Sequence, residues 1–230
     1  MPRRRRQAPG GRIYHVLNRS VGRHTVFHKP EDYAAFERVL AEAHQRLPMR
    51  ILAYTLMPNH WHFVLWPQAD GELSAFTQWL TQTHTQRWHA HYHSSGTGHL
   101  YQGRFKSFPV QSDIHLLVVL RYVERNALRA NLVARAEEWR WGSLWRRHRG
   151  IGTDVLADWP VQRPPDWLDF VNEPHSEAEL EALRRSVNRG CPFGDDDWQA
   201  QTVQELELEH TMRDRGRPRL QEIEDDEMLI

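Results

Sequence analysis

Met57-Pro58-Asn59-His60-Trp61-His62-Phe63-Val64-Leu65 is the stretch on which the reading of the fold turns. Pro58-Asn59 is turn chemistry, a fixed φ followed by a side chain that tolerates tight bends. The apolar runs on either side read as strands over 50–57 and 60–66, joined as a hairpin. Side chains two apart on a strand share a face. His60 and His62 therefore project together, about 7 Å apart along the strand, and two imidazoles at that separation can chelate one divalent ion. Trp61, Phe63 and Leu65 face the opposite way and call for helices to cover them. His-x-His by itself is weak in a chain of 15 histidines. His89-Ala90-His91-Tyr92-His93 has the same spacing at an expected helix end and reads as a surface feature.

Working outward, 13–19 reads as a first strand, with Tyr14, Val16 and Asn18 on one face and Ile13, His15 and Leu17 on the other. Pro30 opens a helix to about 47, with Tyr33, Phe36, Val39, Leu40 and Ala43 as its apolar stripe. After the turn at Asp70-Gly71, the segment 73 to about 91 is amphipathic. Two short strands are expected over 100–105 and 108–111. Ser112 or Asp113 then caps a helix to about 126. The order β-α-β-β-α-β-α implies an α+β sandwich, a mainly antiparallel sheet with helices on one face. Beyond Gly150 the character changes. Residues 1–150 form the expected main domain and 151–175 an irregular linker. Residues 176–220 form a helical appendage, opened by a capping box at Ser176 and Glu179, and 221–230 an acidic tail.

The net charge of zero conceals a division. Residues 1–150 carry 22 Lys and Arg against 10 Asp and Glu, and residues 151–230 carry 8 against 20. A basic half with an acidic appendage suits a nucleic-acid partner. All but Lys29 and Lys106 of the 30 basic residues are arginine, the side chain suited to bidentate phosphate contacts. The single cysteine, Cys191, excludes an internal disulfide framework and a multi-cysteine zinc site. The longest apolar run, 116–120, is far short of the roughly 20 residues of a membrane helix. The expectation is a cytoplasmic protein with no membrane contact.

Arg121-Tyr122-Val123-Glu124-Arg125-Asn126 is the second chemical candidate. On a helix Tyr122 and Asn126 share a face. A phenol can act as nucleophile on a phosphodiester, and an asparagine can offer a neutral oxygen ligand. A core tyrosine with its hydroxyl at the rim fits the same pattern.

Taken in order, these segments resemble the REP-associated tyrosine transposases, a branch of the single-tyrosine HUH superfamily (IS200-like transposases). The resemblance covers most of 1–150. It rests on Met1-Pro2-Arg3-Arg4, on Tyr14-His15-Val16 through Asn18-Arg19, and on Met57 to His62. It continues through Gly98-His99-Leu100-Tyr101-Gln102-Gly103-Arg104-Phe105-Lys106, Tyr122 to Asn126, and Arg129-Ala130. It implies a ferredoxin-like fold with the histidine pair on a central strand. It implies His60, His62 and Asn126 as ligands of Mg2+ or Mn2+, and Tyr122 as a nucleophile that forms a 5′-phosphotyrosine link. Family members often have proline after the asparagine, where this chain has Ala127. The implied partner is single-stranded DNA that folds into a hairpin, with no small-molecule cofactor. The arm Arg3, Arg4, Arg5 and Arg6 suits phosphate and groove contacts, and Arg104 and Lys106 would extend that path. Trp139, Trp141 and Trp145 are candidates for stacking on bases or for the core. Arg215-Gly216-Arg217-Pro218 resembles an AT-hook. A domesticated DNA-binding protein, a replication-initiator-like nicking nuclease and an unrelated metal- or RNA-binding domain stay open as alternatives, and so do monomer and dimer.

Overall fold

The structure is a computed structural model and describes residues 7–213. Four strands form one antiparallel sheet: β1 (Ile13–Arg19), β2 (Arg50–Met57), β3 (His60–Trp66) and β4 (Lys106–Val110), in the order β2-β3-β1-β4. Helix α1 (Pro30–Arg46) connects β1 to β2, and α2 (Glu72–His91) connects β3 to β4. This is the ferredoxin-like arrangement, an α+β fold. Both crossover helices lie on one face, because Tyr14, Val16, Tyr54, Trp61, Phe63 and Leu65 pack there with Phe36, Leu40, Phe76 and Leu80.

The expectation of helices on one face describes these two and misses the rest. Helix α3 (Ile114–Glu124), followed by α4 (Asn126–Arg129) and α5 (Ser143–Arg149), lies beyond β4. Leu116, Val119, Leu120 and Val123 of α3 join Ile13, Leu17, Leu52, Val64 and Phe108 in a second core on the opposite face. Val64 and Leu17 supply the apolar anchor for this layer on the face that also carries His62. Asp113 is the cap of α3, its carboxylate accepting from the His115 amide. A bulge between Ile51 and Ala53 lets β2 send Ile51 to the first core and both Leu52 and Ala53 to the second.

Two other expectations change. The run 100–105 is no strand: Tyr101 makes only an isolated bridge to Ser20, and β4 begins at Lys106. Gly98 and Gly103 adopt φ of 118° and 122°, which breaks the extended path. Segment 151–175, expected as a linker, packs onto the body. It carries α6 (Trp167–Asn172), and Trp167 and Val171 are buried in the second core. Helix α7 (Glu177–Arg189) starts at the Ser176–Glu179 capping box and stops at Gly190, as the sequence implies, and Leu183 and Val187 reach that core. Helices α8 (Asp196–Glu205) and α9 (Glu209–Met212) complete the described chain. Ion pairs Arg12–Glu205 and Arg121–Glu179 join the basic and acidic halves. No helix among the described residues is long and apolar enough to cross a membrane.

Candidate functional site

The sheet and α3 enclose a polar cluster in an otherwise apolar layer. Strand β1 pairs with β3 so that Leu17 lies opposite His62, Arg19 opposite His60 and His15 opposite Val64. His15 is thus a diagonal neighbour of His62 on the same face, and its Nε2 lies 2.9 Å from His62 Nδ1. The His60 and His62 rings are 5.0 Å apart between centroids. Tyr122, carried over this face by α3, has its ring 5.8 Å from His62 and 6.0 Å from His15. The structure therefore unites His60, His62 and Tyr122, and adds His15, which strand alternation placed on the right face but with no stated role.

All of these groups are buried: His60 is 6% exposed, His62 0% and Tyr122 2%. Burial opposes charge. It pulls the pKa of His15 and of His60 down to about 3, and that of His62 well below its ordinary value. The nearby Arg19 guanidinium pushes His60 and His62 the same way. The three imidazoles are consequently neutral at neutral pH and keep a lone pair each. Burial raises the Tyr122 phenol to about 12, against the pull of the positive charges of Arg129, Arg19 and Arg184.

Nε2 of His60 and Nε2 of His62 are buried without a protein hydrogen-bond partner, an arrangement that costs free energy unless something else occupies the position. With a metal–nitrogen distance of about 2.1 Å, a ring centroid sits roughly 3.3 Å from its ion. Two rings on one ion, at angles between octahedral and tetrahedral, are then about 4.7 to 5.4 Å apart, a range that includes the 5.0 Å found here. The residues fit a divalent ion in this respect. Among the described residues no group of three or more His, Cys, Asp or Glu could hold an ion. Any further protein ligand must be of another kind. Asn126 is buried at the start of α4 with its Nδ2 unpartnered, one turn beyond Tyr122, and no hydrogen bond ties it to the histidines.

Other sequence candidates separate. Arg104 and Lys106 are exposed beside β4 and line a groove of about 650 Å³. Arg104 also lines one of about 1480 Å³ with Asn18, Tyr101 and Phe105. Arg3, Arg4, Arg5, Arg6 and the Arg215–Pro218 motif lie outside the described residues. Trp139 and Trp141 serve the first core: Trp139 Nε1 donates to the Leu56 carbonyl, and Trp141 stacks on Tyr33. Trp145 carries the Arg140 guanidinium over its ring. In the His89–His93 cluster, His91 and His93 are exposed and His91 meets Lys29, whereas His89 is half-buried and bonds Ser94. Glu124, part of the second motif, is buried and tied to Trp167 and Ser143, anchoring α3 to α5 and α6.

The profile of the family described as "Transposase IS200 like" matches residues 11–126, half of the chain, and the chain belongs to that family. Among solved structures, a REP-associated tyrosine transposase bound to a REP hairpin matches with a TM-score of 0.52 at 17% identity, over 77% of this chain and 99% of that one. That likeness supports the fold. A chain from Deinococcus radiodurans R1, described provisionally as a transposase, matches at 16% identity over 51% of this chain and 93% of its own, with a TM-score of 0.38, too low to weigh. No curated protein matches significantly.

Proposed function

We propose that this transposase cuts and rejoins single-stranded, hairpin-forming DNA of the repetitive extragenic palindrome type, with Tyr122 as nucleophile. The observation that carries the reading is the convergence of Tyr122 with His60 and His62, whose two Nε2 atoms have no protein partner. The hairpin seen with the structural relative supports the substrate class. His60 and His62 would hold a divalent ion. Asn126 would turn its amide oxygen to the same centre, since its Nδ2 has no bond to lose. Mn2+ suits a two-imidazole set better than Mg2+, which prefers oxygen ligands. When bound, the ion would polarise the scissile phosphate as a Lewis acid.

The chain's own chemistry follows. The Tyr122 oxygen attacks phosphorus and the bond to the 3′-oxygen breaks. The phenol gives up one proton and the leaving oxygen takes one up. The 5′-phosphate stays on Tyr122, so a new 3′-hydroxyl can reverse the step and join a different end. Burial keeps the phenol neutral until the phosphate arrives, and Arg129 and Arg19 favour its ionised form. His175 lies against Tyr122 at 6.1 Å between rings, and α7 is tied to α3 by Arg121–Glu179. The substrate therefore reaches Tyr122 only when this cover moves aside. Residues 1–150 carry the chemistry in this reading, the acidic residues beyond 176 are accessory, and Arg3 to Arg6, Arg104 and Lys106 contact the DNA backbone.

Incubation with Mn2+ and a labelled single-stranded hairpin tests the proposal. A covalent protein–DNA adduct is expected, absent in Tyr122→Phe while hairpin binding persists. An adduct that survives Tyr122→Phe removes Tyr122 as nucleophile. Binding without an adduct on any palindrome offered leaves a DNA-binding protein that does not cut.

A further inference from the structure

An imidazole binds a metal through a nitrogen without a proton, so each ligand histidine must carry its proton on the other nitrogen. The structure reveals what sets that choice for His60. Its Nδ1 lies 2.5 Å from Asn59 Oδ1. An amide oxygen only accepts, so Nδ1 must be the donor. The assignment of oxygen and nitrogen in Asn59 is fixed in turn by the other end of the amide, because Nδ2 donates to the Arg23 carbonyl at 3.1 Å. Turning Asn59 over would set two acceptors against each other at Arg23. The backbone of the turn is itself clamped. The Pro58 carbonyl accepts from the amides of Val26 and Phe27, and the Asn59 carbonyl from that of Ser20. Asn59 therefore cannot drift from His60 without breaking these contacts.

His62 meets a different partner, a second imidazole. The 2.9 Å contact between His15 Nε2 and His62 Nδ1 needs one proton between the two nitrogens. If His62 supplies it, His62 Nε2 keeps a lone pair. If His15 supplies it, His62 Nε2 carries a hydrogen with no acceptor; if His62 supplies it, His15 Nδ1 does, since both atoms are buried without a protein partner. An ion at His62 Nε2, which needs the lone pair there, decides for His62 as the donor. His15 is fully buried, with Phe108 at 4.8 Å and Tyr122 at 6.0 Å between rings.

We propose that Asn59 and His15 are positioning residues that hold His60 and His62 with the proton on Nδ1, leaving both Nε2 lone pairs for one divalent ion. The inference rests on the metal reading above for its purpose and for the direction of the His15–His62 bond, and on hydrogen-bond geometry for His60. It gives Asn59, read from the sequence only as a turn residue, a part in the site.

Two measurements test it. The first uses the metal-free wild type at neutral pH. Two-bond 1H–15N correlation spectra of its histidines separate protonated from unprotonated ring nitrogens. The expected pattern for His60 is a protonated Nδ1 and a bare Nε2. A proton on His60 Nε2 overturns the assignment to Asn59, and Mn2+ binding left unchanged by His15→Phe, in the titration that follows, overturns that to His15. The second is titration with Mn2+ alone, followed by electron paramagnetic resonance. Asn59→Leu and His15→Phe are each expected to weaken Mn2+ binding by about 10- to 100-fold. Asn59→Asp keeps the acceptor for His60 and loses the bond to Arg23, so it is expected to stay within a few-fold of wild type, and His15→Gln to recover part of the loss of His15→Phe. Equal weakening in Asn59→Asp and Asn59→Leu would reduce Asn59 to a turn residue and overturn its role. Wild type that takes up no Mn2+ while showing the expected proton pattern would sink the metal reading and leave the positioning of the His60 proton standing.

Discussion

Each face of the sheet buries a histidine beside a tyrosine, and the two pairs are built differently. On the α1–α2 face, His84 Nδ1 meets the Tyr101 hydroxyl at 2.8 Å, and the imidazole packs against Phe27 and Phe36. On the α3 face, His62 and Tyr122 meet edge to face at 5.8 Å, and neither His62 Nε2 nor the Tyr122 hydroxyl makes a hydrogen bond of ordinary geometry. Both pairs are equally withdrawn from water. A buried polar group that is satisfied adds to stability, and one that is left open costs it. The first pair is thus part of the scaffold, and the second leaves open the two groups on which the proposed chemistry depends.

The sharpest way to break this comparison is to remove both hydroxyls in turn. Tyr122→Phe is expected to abolish the covalent DNA adduct, whereas Tyr101→Phe retains it. Adduct formation on a labelled hairpin reads both, and loss in both variants would erase the distinction.

Metal uptake separates the histidines next. His62→Ala is expected to weaken Mn2+ binding by at least 100-fold, and His84→Gln to leave it within about 3-fold, in a Mn2+ titration of each folded variant. Equal losses would mean that the ion binds elsewhere or that the variants fail as structures.

Acid sensitivity is expected to come from the scaffold pair as well. Burial lowers the His84 pKa to about 3 from about 6.5 in the unfolded chain. The folded state then binds fewer protons, so the contribution is whole above pH 6.5 and is lost as pH falls toward 3. At pH 5 the loss is about 2 kcal/mol for this residue. Urea unfolding at pH 7 and pH 5 should show a smaller pH dependence in His84→Gln than in wild type.

The smallest effect is on stability at neutral pH. Tyr101→Phe strands His84 Nδ1 and is expected to cost about 1 kcal/mol. Tyr122→Phe removes a hydroxyl with no well-formed bond and should stay within about 0.5 kcal/mol of wild type. Matching losses would show that the Tyr122 hydroxyl is as well satisfied as that of Tyr101.

Much of this arrangement is visible in local pattern. Period-two alternation puts Trp61, Phe63 and Leu65 opposite His60 and His62, and the structure keeps that division. Period-3.6 spacing gives α1, α2 and α7 within a residue or two of their ends, because caps such as Ser176 and Gly190 act within one turn. What local pattern could not carry is partnership. His15 and His62 are 47 residues apart and meet through strand register. Trp167 reads as part of a proline-containing linker, and its burial follows from where α3 leaves room beside Glu124. The bulge at Ile51 and Ala53 defeats alternation locally, since one extra residue changes the face. The charge division of the halves reads as a property of partners, yet some of it is consumed inside the fold by Arg12–Glu205 and Arg121–Glu179.

The sequence by itself determined most of the elements, the facing of the histidine pair and, through ordered motifs, the family, because each depends on residues near one another in the chain or on their order along it. Only the tertiary structure decided that a second helical layer covers the polar face, that Tyr122 comes to rest against His62, and that Asn59 and His15 lie within hydrogen-bond distance of the histidine pair. Those outcomes depend on hydrogen bonds and packing between residues far apart in the chain, which the pairing of β1 with β3 and the docking of α3 bring into contact.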